Sequence, residues 1–259
     1  MIPEVIDRHI RSLPFTCDSV GKSGSQVRCY DHAVLKILPA TPGFWDEVRM
    51  LRWLEGRLPV PKVLEAAEED GLQYLLMSRV SGKMACSAEL LEEPEKLIEL
   101  LAQALKTLWQ VDTTHCPRQL LVKDYLAQAR KRVEQGLVDV QDAEPETFGP
   151  GGFADPQALL TWLEENQPVQ ELCLCHGDFC LPNVLYDEGK LAGFIDLGDC
   201  AVGDPWRDIA LCYRSLRHNF SGKYASKVIH ADPDLLFEKL GIPKNEEKLR
   251  YHTLLDELF

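Results

Sequence analysis

Hydrophobic and polar residues alternate in short runs through the first third of the chain, and this alternation predicts β-strands. The predicted strands are residues 15–20, 26–30 and 32–38, followed by the segments LPVPKVLEA (58–66) and GLQYLLMS (71–78). Two segments, 4–13 and 44–54, carry apolar residues three and four positions apart and predict amphipathic helices. The first part of the chain is therefore expected to be a strand-rich unit with two helices.

After residue 78 the helical period dominates. The polar, glycine-containing connector SRVSG marks the change and predicts a hinge between a lobe of residues 1–78 and a lobe of residues 79–259. Predicted helices of the second lobe cover 94–111, 122–136, 206–218 and 249–258, and short predicted strands cover 171–175, 184–186 and 191–195. The acidic stretch 141–156, rich in Gly and Pro, shows neither period and is expected to be a loop. The expected fold class is α+β, with a strand-rich first lobe and a mostly helical second lobe.

Composition narrows the partners of the chain. It has 259 residues, 45% of them hydrophobic, and a formal net charge of −13. This charge repels nucleic acid and anionic membranes, so neither is expected as a partner, whereas it suits a cationic small molecule. No run approaches the roughly 20 apolar residues of a membrane-spanning helix, and the N-terminal stretch lacks the apolar core of a signal peptide. The cytoplasm is the expected location, where most of the nine scattered cysteines should be free thiols.

The most informative segment is LCHGDFCLPNVLYDEGKLAGFIDLGDC, residues 174–200. Asp178 follows a predicted buried strand and a glycine, Asn183 comes five residues later, and Asp196 ends an apolar run. An amide and a carboxylate oxygen on neighbouring strand ends are ligands that Mg²⁺ takes alongside phosphates. A free carboxylate beside them can orient and deprotonate an attacking hydroxyl. The segment predicts a phosphoryl-transfer site in which Asp178 is the base and Asn183 and Asp196 hold Mg²⁺.

Two other interpretations of this segment are weaker. Each of the three residues alone is a common turn or cap residue, but the spacing His-x-Asp-x4-Asn followed by a strand and Asp-x-Gly matches the protein-kinase pattern. A zinc site could be drawn from Cys173, Cys175, His176 and Cys180. It lacks the paired C-x2-C spacing of structural zinc sites, and its first two cysteines lie on a predicted apolar strand. Zinc is therefore rejected.

A kinase also needs a glycine turn over the phosphates, a strand lysine and a helix glutamate. The turn GKSGS, residues 21–25, lies between two predicted strands and can present backbone N–H groups to phosphate. Lys36 interrupts the apolar strand AVLKIL, and Glu47 on the next predicted helix is its expected partner. Asp46, the nearest competitor, points about 100° away around that helix.

With these parts in order, the sequence resembles the aminoglycoside 3′-phosphotransferase family, the kanamycin-kinase type of antibiotic-resistance enzyme. The resemblance spans most of the chain and rests on WLEGRLPVPKVLE, LLMSRVSG, CHGDFCLPNVLYDEGKLAGFIDLGD, GDPWRDIALCYRSLR and the terminal LLDELF. It implies a two-lobed protein-kinase-like fold that transfers the γ-phosphate of ATP, or of GTP as an alternative, to a hydroxyl of an aminoglycoside, the 3′ one expected. Through the family motifs it implies a nucleotide-binding set: Ser23, Lys36, Glu47, Met77, Ser78 and Val80.

The resemblance also implies how a polycationic substrate is bound, since the family uses acidic residues, the C-terminal helix and the terminal carboxylate. The implied substrate contacts are Asp139, Glu144, Glu146, Arg214, His218, Asp256, Glu257 and Phe259. Taken alone, LLDELF fits an ordinary amphipathic helix end equally well. Three residues depart from the family pattern: Asp199 replaces a common basic residue, His218 an acidic substrate contact, and Val34 an aromatic ring under the adenine.

Two rival functions remain beside this one. The first is a small-molecule kinase of the same fold with another hydroxyl substrate; the acidic C-terminus favours a polycation, while Asp199 and His218 leave this rival open. The second is a nucleotide-binding pseudokinase scaffold, which the presence of the lysine, the base and both metal ligands disfavours. A protein kinase is disfavoured because little chain lies between Gly198 and Trp206 for an activation segment.

Overall fold

The first lobe is built on an antiparallel sheet. The computed structural model describes residues 2–17, 25–225 and 227–259. Within those residues the sheet has five strands in the order β1-β2-β3-β5-β4. The strands are β1 Thr16–Cys17, β2 Gln26–Cys29, β3 Ala33–Pro39, β4 Val63–Glu69 and β5 Leu72–Ser78, with helices α1 Glu4–Ile10 and α2 Phe44–Leu54 beside them.

The pleat of β3 decides where its lysine points. Ala33, Leu35 and Ile37 are buried in a small core that includes the apolar side of α1. Because successive side chains of a strand point to opposite faces, Lys36 lies on the other face of β3. There it meets Glu47 of α2.

The second lobe is mostly helical. Its helices are α3 Ala88–Leu91, α4 Pro94–Trp109, α5 Val122–Glu134, α6 Pro156–Glu165, α7 Pro205–Phe220, α8 Leu235–Leu240 and α9 Glu246–Asp256. Its strands are β6 Lys83–Met84, β7 Cys173–Cys175, β8 Val184–Asp187, β9 Lys190–Phe194 and β10 Ala201–Gly203, and a 3₁₀ turn covers Leu181–Asn183. The strands form two small antiparallel sheets, β6-β8-β9 and β7-β10.

Two apolar clusters hold this lobe together. The larger one runs through α4, α7, α8 and the small sheets, and it continues into α2 of the first lobe. The second joins α5, α6 and α9, and the terminal Leu255 and Leu258 are fully buried in it. The leucines of LLDELF thus fix the chain end on the second cluster. The acids Asp256 and Glu257 meet arginines of α7 instead.

The chain passes from the first sheet to the second through residues 79–82. Gly82 has φ +118°, and a Cβ there would lie 2.8 Å from the carbonyl oxygen of Tyr186, so only glycine fits. A backbone hydrogen bond from Phe194 N–H to Pro59 O (2.9 Å) also ties β9 to the segment between α2 and β4. The division into lobes at residues 78 and 79 stays a prediction.

Each helix and strand predicted from periodicity has a counterpart in the described residues, and most of them have shifted ends. The last helix, for example, spans Glu246–Asp256 rather than 249–258, and only Thr16–Cys17 of the strand predicted at 15–20 is described as strand. The periodicity missed α3, α6, α8, β6 and β10. For α6 a signal existed, since Asp155 caps the helix by accepting from Ala158 N–H and Pro156 follows it. The two strands have two and three residues, too few for a period, and only their tertiary partners define them.

Candidate active site

The turn between β7 and the 3₁₀ turn carries His176, Gly177 and Asp178, here called the HGD turn. The backbone N–H groups of His176 and Gly177 donate to the two carboxylate oxygens of Asp208 on α7, at 2.6 and 2.8 Å. Gly177 has φ +89°, and a Cβ there would lie 2.4 Å from the carbonyl oxygen of Asp199. The turn therefore requires glycine and is held from behind by a buried carboxylate.

The buried imidazole of His176 braces the turn from inside. Its Nδ1 accepts from the backbone N–H of Asp178 at 3.3 Å, and its Nε2 donates to Ile195 O at 2.9 Å. Both ring nitrogens are thus used within the fold. Since Cys180 in turn donates to Asp178 at 3.1 Å, these residues are committed to hydrogen bonds rather than to a zinc ion.

Both oxygens of the Asp178 carboxylate have a donor. Asn183 Nδ2 donates to Asp178 Oδ2 at 2.8 Å and to its backbone oxygen at 2.9 Å, and Cys180 Sγ donates to Oδ1 at 3.1 Å. Burial, together with the Asp178 charge, raises the pKa of the Cys180 thiol well above its ordinary value, so the sulfur keeps its proton. The carboxylate is thereby oriented while remaining half-buried at the mouth of the turn.

Asn183 and Asp196 lie on adjacent chain segments. The backbone N–H of Ile195 donates to Asn183 O at 3.0 Å, which places Asp196 at the very next position. Asp196 has φ +57°, and its side chain is 52% exposed. With Asn183 Nδ2 committed to Asp178, the amide oxygen of Asn183 points away from that residue.

The lysine of β3 reaches across from the first lobe. Lys36 Nζ lies 3.1 Å from Asp196 Oδ1 and 3.4 Å from Glu47 Oε1. Burial acts to lower the pKa of Lys36, but the two carboxylates outweigh it, so the pKa is raised and the ammonium stays charged. For Glu47, burial raises the pKa, and the positive charge of Lys36 opposes this without cancelling it. Asp46 instead pairs with Arg49 on the exposed side of α2.

A magnesium ion fits this set of donors. In the described ranges no three His, Cys, Asp or Glu side chains are grouped to hold a metal ion. Mg²⁺ needs no such cage, because it keeps several waters and takes one or two protein oxygens together with phosphates. One amide oxygen from Asn183 and one exposed carboxylate from Asp196 match that requirement, and their role as metal ligands stays a prediction.

The remaining residues of the predicted nucleotide site lie near the crossing between the lobes. Met77 and Ser78 end β5, Ser78 Oγ accepts from Lys62 N–H at 2.9 Å, and Val80 packs beside Gly193 of β9. Ser23 lies outside the described residues. The contacts of these four residues with a nucleotide stay predictions.

Most of the predicted substrate residues meet in one group behind the HGD turn, here called the charged cluster. Its members are Glu144, Arg207, Arg214, His218, Lys223, Asp256 and Glu257. Arg207 Nη2 donates to Asp256 Oδ1 at 3.0 Å, and Arg214 pairs with both Asp256 and Glu257. Burial acts to raise the pKa of Asp256, but the two arginines outweigh it and the pKa lies below its ordinary value.

Glu144, from the acidic loop, joins the charged cluster through three contacts. Its carboxylate meets His218 Nε2 at 2.8 Å and Lys223 Nζ at 3.0 Å, and its backbone N–H donates to Glu257 Oε2 at 3.0 Å. The acids expected to bind a polycation are thus already paired with cations of the chain. A cationic substrate would have to share or displace these partners.

Three other predicted substrate residues lie outside the charged cluster. Asp139 is exposed, and its Oδ1 accepts from the N–H groups of Gln141 and Asp142 at 2.9 and 3.3 Å, the geometry of a turn. Glu146 is exposed in the acidic loop. Phe259 is exposed at the chain end, and its carbonyl accepts from Arg132 Nη2 at 2.5 Å.

Three residues that organise the site had no role assigned from the sequence. Asp208 and Arg207 of α7 hold the HGD turn from behind, and Cys180 orients Asp178. All lie within the segments that carry the family resemblance. Their partners are backbone groups or buried atoms, which no residue pattern reveals.

Comparison with known proteins identifies the family. A family model described as the phosphotransferase enzyme family matches residues 20–239. An aminoglycoside 3′-phosphotransferase of Enterococcus faecalis is 39% identical over 82% of this chain and 78% of its own length. Another, from Niallia circulans, is 36% identical over 99% of this chain and 97% of its own length. The chain belongs to the aminoglycoside 3′-phosphotransferase family.

The fold agrees with membership of this family. An aminoglycoside phosphotransferase of Streptomyces rimosus, solved in complex with ADP and streptomycin, superposes with a TM-score of 0.81 at 23% identity, covering 98% of this chain and 96% of that one. The α+β, two-lobed, protein-kinase-like fold expected from the sequence is confirmed, and the protein is an enzyme of the phosphotransferase family. Among the described residues no helix is long and apolar enough to cross a membrane.

Proposed function

We propose that the protein transfers the γ-phosphate of ATP to a hydroxyl group of an aminoglycoside, the 3′ hydroxyl, and thereby inactivates the antibiotic. The observation that carries the proposal is the Asp178 carboxylate, oriented by Asn183 and Cys180 beside the linked pair of Lys36 and Asp196. The names of the relatives, both aminoglycoside 3′-phosphotransferases, support the substrate class.

In this proposal each residue has a separate task. Lys36, fixed by Glu47, binds the α- and β-phosphates, and the half-buried Asp178 takes the proton of the attacking hydroxyl. Asn183 and Asp196 would hold Mg²⁺, which supplies charge neutralisation at the phosphates when bound. Since phosphoryl transfer depends mainly on positioning and electrostatic stabilisation, the donors around Asp178 serve the reaction by fixing its carboxylate.

The charged cluster supports a cationic substrate. Asp256, Glu257 and Glu144 surround Arg214 and Lys223, so ammonium groups of a substrate can take over carboxylate contacts that the chain now supplies to itself. The net charge of −13 raises the local concentration of a polycation. The cytoplasm, where ATP is available, suits buried free thiols such as those of Cys175, Cys200 and Cys212.

The test is nucleotide turnover by the purified protein with MgATP, with and without kanamycin, for the wild type and Asp178→Asn. Kanamycin should stimulate ADP release, and the variant should lose it by about 10²–10⁴-fold because the general base is gone. The exposed Asp187→Asn, nine residues away, is the matched control and should keep wild-type turnover.

Two outcomes would contradict the proposal. Wild-type turnover in Asp178→Asn would remove that residue from the role of base. Nucleotide binding without stimulation by kanamycin or a panel of aminoglycosides would leave a kinase of this fold with a different hydroxyl substrate.

A further inference from the structure

A small cavity lies behind the HGD turn and is lined by residues of α5, β7, β10, α7 and α9. Its volume is about 10 Å³, and its wall includes Tyr125, Asp204, Arg207 and His252. The last three are 5%, 5% and 1% exposed. Four of their buried polar atoms, Asp204 Oδ2, Arg207 Nη1 and both ring nitrogens of His252, have no hydrogen-bond partner among the described residues.

Arg207 connects this cavity with the two parts of the site. Its Nε donates to Gly177 O at 2.8 Å, directly before Asp178, and its Nη2 donates to Asp256 Oδ1 at 3.0 Å. The guanidinium carbon lies 4.4 Å from the ring centre of Tyr125, so the plane of the group is also supported by an aromatic face. Nη1 is the remaining nitrogen. Because the guanidinium group is planar and rigid, binding of the other two nitrogens also fixes the position of Nη1.

One water molecule matches the size of the cavity and the hydrogen-bonding needs of three of these four atoms. A volume of this size holds about one water, and a buried water needs two to four polar partners. A single water can accept from Arg207 Nη1, donate to Asp204 Oδ2 and donate to the unprotonated nitrogen of His252. Asp204 Oδ2 and His252 Nε2 lie 3.5 Å apart, too far for a good direct hydrogen bond. Buried polar groups without partners destabilise a fold, so this water would stabilise all three side chains.

We propose that Arg207 is a positioning residue of the phosphoryl-transfer reaction: it fixes the HGD turn relative to Asp256 and is locked in place by one water bound between Arg207, Asp204 and His252. The proposal rests on the proposed function for the identity of the substrate that reaches Asp256. A substrate ammonium that takes over Asp256 changes the contacts of Arg207. Through its Nε that change reaches Gly177 O and the orientation of Asp178. Arg207 thereby couples occupation of the charged cluster to the catalytic carboxylate.

The first test is the kinetics of Arg207→Lys. A lysine keeps the positive charge but cannot bind Gly177 O, Asp256 and the cavity water at once. We expect kcat to fall by about tenfold to a hundredfold, because small displacements of a reacting group have costs of that order, while KM for MgATP is unchanged. Arg130→Lys, an exposed arginine of α5 paired with Glu164, is the matched control and should keep the wild-type kcat.

The second test separates positioning from a general loss of stability and does not require turnover. Hydrogen exchange of a peptide covering residues 174–183 should be faster in ligand-free Arg207→Lys than in the wild type, and kanamycin should change the exchange rate in the wild type only. Urea unfolding of each protein shows whether both are fully folded during the measurement. If Arg207→Lys does not fold, His252→Phe, which fills the cavity and leaves Nη1 without its water, should show the same faster exchange.

The outcomes are distinct from those that test the proposed function. If no aminoglycoside stimulates turnover by the wild type, the proposed substrate is wrong. Faster hydrogen exchange in ligand-free Arg207→Lys would still support Arg207 as the positioning residue. Wild-type exchange and wild-type kcat in a folded Arg207→Lys would overturn the proposal. So would a high-resolution crystal structure in which no water lies within about 3.2 Å of both Arg207 Nη1 and Asp204 Oδ2.

Discussion

Single residues of the HGD turn are constrained by the backbone around them more than by their own chemistry. Gly177 combines a positive φ with a carbonyl oxygen of Asp199 lying where a Cβ would be. Asp178 follows directly, and its carboxylate lies between the donors Asn183 and Cys180. The conformation of the glycine thus determines where the carboxylate stands.

Gly177→Ala should be far more destabilising than the same change at another glycine of positive φ. Gly189, in the turn between β8 and β9, has φ +73° and open space where a methyl group would lie, so alanine there should cost only the strain of about 1–2 kcal/mol. At Gly177 the methyl group also meets backbone at 2.4 Å, and a loss of about 3 kcal/mol or more is expected. Urea unfolding of both variants provides the comparison, and equal losses would contradict this explanation.

At the level of elements, α7 organises the site although Asp178, Asn183 and Asp196 all lie outside it. Its N-terminal turns carry Arg207 and Asp208 to the HGD turn, and the next two turns bring Arg214 and His218 to the charged cluster. Asp204 caps the helix by accepting from Trp206 N–H at 3.1 Å. One helix therefore fixes the relative placement of the turn and the cluster.

Asp208→Asn should damage both stability and turnover. An asparagine can accept only one of the two N–H groups of His176 and Gly177, and its own NH₂ then faces the other donor. We expect a loss of about 2–3 kcal/mol in the free energy of unfolding, the usual effect of losing a charge-assisted buried hydrogen bond.

The matched control for this change is Asp124→Asn. Asp124 accepts from Leu121 N–H at 2.9 Å at the start of α5 and lies only half-buried. Its loss should cost about 1 kcal/mol, as for other helix caps. Denaturant unfolding checks both, and the interpretation of Asp208 fails if its variant is the more stable of the two.

At the scale of the whole molecule, α9 connects the chain end to the rest of the second lobe through both apolar and charged contacts. Its leucines are buried with α5 and α6, its acids pair with α7, and its His252 lines the small cavity behind the HGD turn. Burial lowers the pKa of His252; Asp204 opposes this, and the charges of Arg207 and Lys248 add to it. Docking of α9 therefore depends on a neutral imidazole.

The free energy of unfolding should fall as the pH is lowered from about 7 to about 5. Below its ordinary pKa of about 6.5, His252 takes up a proton in the unfolded chain but not in the folded protein, so acid favours unfolding. His252→Gln cannot titrate and should lose part of this slope. Urea titrations at several pH values in this range measure the slope of the free energy of unfolding against pH. The same slope in His252→Gln as in the wild type would contradict the prediction.

The residue pattern was enough to predict the fold class, most elements and the order of the phosphoryl-transfer residues. Lys36 and Glu47 could be paired in advance because the kinase pattern requires a strand lysine and a helix glutamate, and the helix period turns Asp46 away. The short span from Asp178 to Asp196 likewise held its residues together, since only one 3₁₀ turn and one hairpin lie between them.

The surroundings of those residues depend on tertiary packing. Tertiary packing pairs Asp256 and Glu257 with arginines of α7. It also places the carboxylate of Asp208 against the HGD turn, while Asp139 lies in a separate exposed turn. Residue types and local periods state which side chains are charged and which face is apolar, but not which distant charge will be nearest. That is settled by the packing of α5, α7 and α9, where contacts between residues far apart in the chain set the distances.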